Sequence, residues 1–234
     1  MISVIIPVLN EVETIESLLS HLIENSGAGN ISEIIVVDGG SEDNTQGVVA
    51  QFAESAPITT ILLTSEKGRA RQMNTGVTQA TGSIFYFLHA DSFPPRYFDT
   101  LIIEEVHAGN RAGCFRMKFR NSHWWLRLAG WLTKFKSKAC RGGDQSQFIT
   151  RKLFEEIGGF DESYTIYEDY VLINELYKRN EFVIIPHWLT TSARRYEDKG
   201  IWRLQYHFWA IYVKKFFGAD ADELFRYYKK NIAS

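Results

Sequence analysis

Three apolar, strand-like runs in the first half of the chain end in polar residues whose chemistry suits nucleotide and metal binding. Asn10 and Glu11 follow the run 3–7, Asp38 ends the run 33–38, and Asp91 follows the run 83–88. In open α/β sheets, ligands bind at the carboxyl edge of the strands. A carboxylate there suits Mg²⁺ or Mn²⁺ held against a diphosphate. The pattern predicts a metal-binding role for Asp91, although a turn or helix-cap role stays open.

The segments between these runs have the period of helices. Apolar residues at 15, 18, 19, 22 and 23 share one helix face, with Asn10 as a candidate cap and Glu13 at the capping-box position. Gly68 opens another helix, and Glu168 a further one. Strands that alternate with helices predict an α/β fold with a mostly parallel, doubly wound sheet and helices on both faces.

A dinucleotide-binding fold would need a glycine-rich turn after its first strand. The corresponding turn, 7–11, contains no glycine, and the chain has no G-x-x-x-x-G-K-[ST] loop. Asp38 therefore serves a different nucleotide geometry, in which we expect it to read the nucleoside.

Several motifs occur together in one order: 3–7 with Asn10 and Glu11, 36–41 with Asp43 and Thr45, 68–76, 88–91, 143–145, 158–161, 168–169 and 191–195. In this order and spacing they resemble the inverting family 2 glycosyltransferases of GT-A fold, in their compact, single-domain bacterial branch. One departure is His89, which stands where the family's metal motif usually has its first Asp. The second acid of that motif is Asp91.

The resemblance implies a hexosyltransferase-type enzyme. It would move a sugar from a nucleoside diphosphate sugar to a hydroxyl acceptor with inversion, assisted by Mg²⁺ or Mn²⁺ on Asp91. The residues expected to frame the donor pocket are Pro7, Leu9, Asn10, Glu11, Asp38, Gly68, Arg71, His89, Ala90 and Asp91.

The second half of the chain would hold the acceptor. The resemblance assigns Asp169 as the general base that removes the acceptor proton. Asp144 and Gln145 would line the acceptor side, with Glu168 beside the base. Arg194 or Arg195 would add planar donors to phosphate, although a solvated pair of arginines stays open. Acids at a helix start are also favoured by the helix dipole, so a capping role for 168–169 stays open.

Two other functions fit part of the pattern. A nucleotidyltransferase also uses a doubly wound sheet and acidic metal ligands, but it should carry a glycine- and basic-rich loop after its first strand. A nucleotide-sugar-binding protein whose metal site has decayed through His89 would bind without turnover. The donor base and sugar, the acceptor and the oligomeric state stay open.

Composition predicts one domain over 1–234, because 234 residues with 45% hydrophobic content can form a large core. We expect a nucleotide-sugar-binding half at 1–110, an acceptor and catalytic half at 111–200, and C-terminal helices at 201–234. No basic region precedes the first strand, so a cytoplasmic protein is expected. Cys114 and Cys140 are expected as reduced thiols.

Charge divides the chain. Residues 1–110 hold 4 Lys and Arg against 14 Asp and Glu, whereas residues 111–234 hold 22 against 14. The stretch 116–141 has eight basic residues, no acid, and several Trp and Leu. This is typical of a helix on an anionic membrane rather than of a nucleic-acid site.

The predicted partners are thus a nucleotide-sugar donor, an acceptor that could be lipid-linked, and the inner face of the plasma membrane, but no nucleic acid. Internal packing or an oligomer contact stays open.

A second aromatic stretch spans 201–217. Its apolar run is interrupted by Arg203 and Lys214 and is shorter than the ~20 residues that cross a bilayer. We expect a helix that lies on a membrane or packs on the domain.

Overall fold

The computed structural model describes residues 1–233 and, within them, eight strands in one sheet. The strands are β1 Ile2–Val8, β2 Ile31–Asp38, β3 Thr60–Thr64, β4 Ile84–Phe87, β5 Ser92–Phe93, β6 Ala112–Phe119, β7 Gln147–Thr150 and β8 Phe182–Thr191. Their order across the sheet is β3-β2-β1-β4-β7-β6-β8-β5. The first four strands are parallel. β7 runs antiparallel to both β4 and β6, whereas β6 and β8 are parallel. The predicted mostly parallel α/β sheet is confirmed.

Helices cover both faces of this sheet. They are α1 Ile15–Asn25, α2 Thr45–Ala53, α3 Arg69–Gln79, α4 Phe98–His107, α5 Trp124–Leu132, α6 Arg151–Ile157, α7 Glu168–Lys178, α8 Arg194–Lys199, α9 Ile201–Phe216 and α10 Ala221–Asn231. α1, α2 and α4 share one buried cluster, and α3, α6 and α7 share the cluster on the opposite face. A third cluster joins α9 to α10.

The central strand β1 shows why the sheet forms. All seven of its residues are buried. Val4 and Ile6 belong to one core cluster, while Ile5 belongs to the other. A run that is apolar on both faces is stable only where helices cover both sides of a parallel sheet.

The start of α1 differs from the prediction. The helix begins at Ile15 after Thr14, and Asn10 lies in the preceding turn with φ 55°. Asn tolerates this left-handed conformation because its short side chain hydrogen-bonds locally. Here Oδ1 of Asn10 accepts a hydrogen bond from the Glu42 backbone N–H at 2.8 Å. The expectation that Asn10 caps the helix, and with it the capping box at Glu13, is wrong.

The basic stretch 116–141 is also not the single helix that we predicted. Its first residues end β6, and only Trp124–Leu132 forms a helix, α5. The predicted helix at 201–217 is confirmed as α9. Across residues 1–233, the helices all fall short of the length and apolar character that crossing a membrane requires.

Helix α3 lies unusually close to the sheet. A Cβ added at Gly76 would stand 2.6 Å from Cγ2 of Ile5 and 3.2 Å from Cγ2 of Val37. Glycine therefore allows α3 to approach β1 and β2 closely. This approach fixes the start of α3, with Gly68 and Arg69, near the carboxyl edge of the strands.

Candidate active site

The predicted edge exists. In the β1–β2 ladder Val8 pairs with Asp38, and in the β1–β4 ladder Ile5 pairs with Phe87. The chain leaves all three strands on the same side, because they are parallel. The segments 9–11, 39–41 and 88–91 consequently meet at one edge of the sheet.

The segments after β1 and β2 are fastened to each other. The Asn10 N–H donates to Oγ of Ser41 at 2.8 Å, and the Glu11 N–H donates to Oγ1 of Thr45 at 2.9 Å. Asp43 accepts from the Val12 and Thr45 N–H groups at 3.2 and 3.0 Å. These bonds explain why the motif contains Asp43 and Thr45: both hold the loop that presents Asn10 and Glu11.

Asp38 is fully buried in this turn. Its carboxylate accepts hydrogen bonds from the N–H groups of Gly40 and Ser41, each at 3.0 Å, from the Ser41 hydroxyl, and from Nε2 of Gln46 at 2.7 Å. Burial alone would raise the pKa of Asp38, but these bonds outweigh it and hold the pKa below its ordinary value. Asp38 is thus an ionised group that shapes the turn after β2.

Asp91 lies among other acids. Burial, with the charges of Asp144 and Glu11, raises the pKa of Asp91 to about 6, and Arg194 opposes the shift. Arg194 reaches this edge because the Ser192 N–H donates to the Asp91 carbonyl at 3.1 Å. Arg194 also forms an ion pair with Glu11 at 3.2 Å. The edge therefore carries three neighbouring carboxylates against one guanidinium.

This donor set fits a divalent cation that is shared with a diphosphate. Within residues 1–233 no three His, Cys, Asp or Glu side chains are arranged to hold a metal by themselves. Mg²⁺ usually binds through one or two carboxylates together with substrate phosphate oxygens. Burial is the main cause of the raised pKa of Asp91, and the negative charges of Asp144 and Glu11, which such a cation would offset, add to it. Asp91, with Asp144 or Glu11 beside it, is suited to that role.

The two arginines at the start of α3 have different partners. Arg71 is exposed and forms an ion pair with Glu66. Arg69 instead contacts the buried Glu168 of α7, with Nε 2.8 Å from Oε1. Burial raises the pKa of the Glu168 carboxyl above its ordinary value, although the Arg69 guanidinium opposes the shift. This pair joins α3 to α7.

Asp169 lies next to this pair at the start of α7. Its Oδ1 accepts from the Tyr170 N–H at 2.8 Å, which leaves the second oxygen for another partner. A cavity of about 20 Å³ extends from Asp169 and Glu168 to Pro7 and His89. Asp169 therefore lies within a short distance of the strand edge.

Asp169 also lines a much larger cavity of about 540 Å³. Six aromatic side chains of its walls come from α5, the start of α7 and α9: Trp125, Tyr167, Tyr170, Phe208, Trp209 and Tyr212. Arg69, Asp144 and Arg195 supply charged groups. The volume matches that of small-molecule sites, which are mainly apolar with a few polar groups.

The side chain of Gln145 is engaged in hydrogen bonds within the protein. It is buried, and its side chain donates to the Cys140 carbonyl at 2.7 Å and accepts from Arg141 at 2.7 Å. Arg141 also donates to the carbonyls of Thr133 and Phe135 at 2.6 and 2.9 Å. The two residues hold the loop after α5 against the sheet, and Asp144 projects from the turn between them as an exposed residue.

The structure thus gathers most of the residues predicted for the site. Those at the strand edge are Pro7, Leu9, Asn10, Glu11, Asp38, His89, Ala90, Asp91 and Arg194; those at the large cavity are Asp144, Gln145, Asp169 and Arg195. Arg195 donates to the Tyr228 hydroxyl at 2.7 Å rather than to the strand edge. The sequence reasoning missed Arg69 and the aromatic walls. Arg69 directly follows Gly68 at a helix start, which was a usable signal, whereas the aromatic walls come from α5, the start of α7 and α9, which are far apart in the chain.

The chain belongs to the Glycosyl transferase family 2, whose family profile matches residues 3–167. This confirms the resemblance. A glycosyltransferase of Haloferax volcanii, AglE, is 37% identical over 94 residues, which are 40% of this chain and 31% of that protein. The dolichol-phosphate mannosyltransferase of Pyrococcus furiosus is 37% identical over 109 residues, 47% of this chain and 31% of that protein. The probable glycosyltransferase YdaM of Bacillus subtilis is 25% identical over 230 residues, 89% of this chain. The chain spans between 31% and 54% of the length of these relatives.

Solved structures show the same fold. The mannosyltransferase PcManGT of Pyrobaculum calidifontis, in complex with GDP-Man and Mn²⁺, superposes with a TM-score of 0.69 at 20% identity, over 99% of this chain and 68% of that one. TarS of S. aureus (residues 1–349), in complex with UDP-GlcNAc, gives a TM-score of 0.63 at 18% identity, over 82% and 58%. The fold is the GT-A fold.

Proposed function

We propose that this chain transfers a sugar from a nucleoside diphosphate sugar to a hydroxyl acceptor, with inversion at the anomeric carbon and with the help of a divalent cation. The observation that supports this most directly is that the candidate metal ligand, Asp91, and the candidate base, Asp169, lie close to the same edge of the sheet. Asp91 lies at the strand edge, and Asp169 lies across a 20 Å³ cavity from Pro7 and His89 of that edge. A donor bound along the edge would present its anomeric carbon toward Asp169.

The reaction needs a base on one side of that carbon and a leaving group on the other. Asp169 would take the proton of the acceptor hydroxyl while the hydroxyl oxygen forms its bond to the anomeric carbon. The bond from that carbon to the diphosphate breaks, and its electron pair leaves with the nucleoside diphosphate. A single displacement of this kind inverts the configuration. The ion pair of Glu168 with Arg69 would hold the start of α7, and with it Asp169, in place.

The departing diphosphate carries negative charge that needs compensation. A bound Mg²⁺ or Mn²⁺ would supply that compensation as a Lewis acid on the phosphate oxygens. Asp91 would hold it, with Asp144 or Glu11 nearby. Arg194, already at this edge, would add a guanidinium toward phosphate.

The two halves of the chain would divide the work. We assign donor binding to 1–110, with Pro7, Leu9, Asn10, Asp38, Gly68, His89 and Ala90 framing the nucleotide-sugar pocket. Residues 111–200 would supply the acceptor side and the base, and the C-terminal helices would close the large cavity. Arg71, engaged with Glu66, would have to change partner to contact phosphate.

The aromatic walls of the 540 Å³ cavity support an acceptor with an apolar part, such as a lipid-linked alcohol. A relative named as a dolichol-phosphate mannosyltransferase supports the same class. The exposed side chains of α5 and α9 support contact with a membrane surface, because Trp131 and Trp209 remain 47% and 48% exposed. A peripheral position on the inner face of the plasma membrane would follow.

A donor panel tests the proposal. Thermal unfolding would be followed with UDP, GDP and a set of their sugars, each with Mn²⁺ and with a chelator. One nucleotide series should raise the melting temperature in the presence of Mn²⁺, since a ligand of the native state stabilises it by mass action. With the stabilising donor and an added acceptor, the enzyme should then transfer the sugar and release free nucleoside diphosphate. Stabilisation without any turnover would favour a binding protein, and no stabilisation by any nucleotide would refute the proposal.

A further inference from the structure

A second, larger groove lies beside α5. It has a volume of about 810 Å³ and is lined by the end of β6, by α5 and by Trp188 of β8. Trp125, Ala129 and Leu132 of α5 line the 540 Å³ cavity proposed for the acceptor (the acceptor cavity), whereas Leu126, Arg127 and Trp131 line this groove. One helix thus forms a wall of both, and the groove takes no part in the reaction described above.

The groove is basic. Lys118, Arg120 and Arg127 line it, and among residues 1–233 no acidic residue does. Over residues 1–233, none of these three cations has a carboxylate within ion-pair distance, although six other arginines do: Arg69, Arg71, Arg111, Arg151, Arg179 and Arg194. Three cations that converge on one groove without internal counter-charge are suited to an anion from outside.

Apolar side chains stand at the same surface. Trp124, Trp131 and Phe135 are 60%, 47% and 48% exposed. Lys134 lies over the rings of Trp131 and Trp188, with Nζ 5.7 and 5.6 Å from their centroids. Tryptophan beside lysine and arginine is the composition of segments that lie at the boundary between headgroups and acyl chains.

We propose that this groove binds the phosphate of an anionic phospholipid headgroup, while the neighbouring Trp124, Trp131 and Phe135 enter the interface. The inference rests on the membrane contact proposed above, but not on the transfer reaction. A nucleic acid would match the charge but leave the exposed apolar side chains in water. Headgroup binding would hold α5 at the bilayer, so that the acceptor cavity on its other face opens where a lipid-linked acceptor is found.

Two matched pairs of variants test the groove. Arg120→Gln with Arg127→Gln removes two cations inside it. Lys136→Gln with Lys138→Gln removes two exposed cations of the same acid-free stretch that do not line it. Sedimentation with phosphatidylcholine vesicles, with and without phosphatidylglycerol, would be measured for both. A cation at an anionic surface contributes about fivefold in affinity, so the groove pair should lose about 25-fold or more and the control pair clearly less.

A soluble probe separates the groove from the membrane. Short-chain phosphatidylglycerol, kept below its micelle concentration, should quench or shift tryptophan fluorescence in the wild type and in the control pair, but not in the groove pair. Unchanged melting temperature and Mn²⁺-dependent nucleotide binding would show that all variants are folded.

Equal losses in the two pairs would mean that diffuse charge attracts the bilayer, and the headgroup site would be wrong. Equal binding to vesicles without phosphatidylglycerol would also contradict it. The wild type could instead bind a single-stranded oligonucleotide or form a concentration-dependent dimer. If the groove pair of substitutions abolished either of these, the groove would bind that partner and the headgroup site would be wrong. Failure of the transfer reaction alone would leave these results untouched.

Discussion

At the scale of single residues, Asp91 is the group whose environment is most clearly arranged for a ligand. Its pKa of about 6 arises from burial and from the charges of Asp144 and Glu11. A metal ion binds only the ionised carboxylate, so protons and metal compete for Asp91. We predict that Mn²⁺-dependent binding of UDP or GDP weakens as the pH falls through about 6 and is nearly constant above 7. Calorimetry from pH 5 to 8 would show this, and a flat profile would contradict it.

Replacement of Asp91 should change ligand binding and stability in opposite directions. Asp91→Asn should abolish the metal-dependent part of nucleotide binding. Because the folded-state pKa is raised, ionised Asp91 destabilises the metal-free protein above about pH 6. The variant should therefore melt higher than the metal-free wild type at pH 8, and the gain should shrink toward pH 4. Full Mn²⁺-dependent affinity in Asp91→Asn would remove the metal assignment.

Asp38 acts through the turn that it holds. Its carboxylate binds two backbone N–H groups and Gln46, and the same turn is fastened to Asn10 through Ser41. We predict that Asp38→Ala weakens the nucleoside diphosphate much more than inorganic pyrophosphate, because this turn would frame the nucleoside in the proposed donor pocket. Competition between the two ligands would measure the ratio. Equal losses would show that Asp38 supports the fold or the phosphates instead.

At the scale of elements, the approach of α3 to the sheet positions the donor side. A methyl at Gly76 would press on Ile5 and Val37, which are fully buried. Gly76→Ala should therefore cost about 1–3 kcal/mol of unfolding free energy, as overpacked cores do. Gly47→Ala in α2 is the control, since its Cβ meets only the Asn44 side chain, which can rotate away. The control should gain up to ~1 kcal/mol from helix propensity.

Denaturant unfolding of both glycine variants would test this packing. A neutral or stabilised Gly76→Ala protein would mean that α3 can move away from β1 without loss. In that case the start of α3 would not be fixed by the sheet, and the position of Arg69 would need another cause.

Elements also show what the sequence can and cannot predict. The strand edge with Asp38 and Asp91 was predictable, because each strand is a local apolar run that ends in a polar residue. The pair Arg194–Glu11 joins residues 183 positions apart. Its formation depends on the β5–β8 pairing, which no local pattern indicates. Arg69 was missed for a similar reason, since the buried Glu168 that it contacts lies on a distant helix.

The aromatic stretches were ambiguous for a different reason. Composition predicts an apolar surface, but it does not say which residues the fold covers. Leu126 and Gly130 of α5 are buried, whereas Trp124 and Trp131 stay exposed. Helix α5 therefore packs on the domain with one face and leaves two tryptophans of the other face exposed to solvent.

At the scale of the whole molecule, charge is separated between the halves of the chain. The acidic first half carries the strand edge, and the basic second half carries the exposed aromatic helices. We predict that binding to anionic vesicles falls steeply as salt rises, because exposed charges are screened over about 10 Å at 0.1 M. Co-sedimentation across a salt series would measure it. No binding at low salt would refute the membrane contact.

In the proposed reaction Asp169 removes the acceptor proton in a metal-assisted displacement, and the Asp169→Asn variant tests this role. Sugar transfer and donor affinity would be measured for wild type and Asp169→Asn with Mn²⁺ and the donor found in the panel. We predict nearly unchanged donor affinity and transfer slower by ~10²–10⁴, the usual contribution of a positioned base. Near-normal transfer by a variant with unchanged melting temperature would contradict the account and move the base to Glu168 or Asp144.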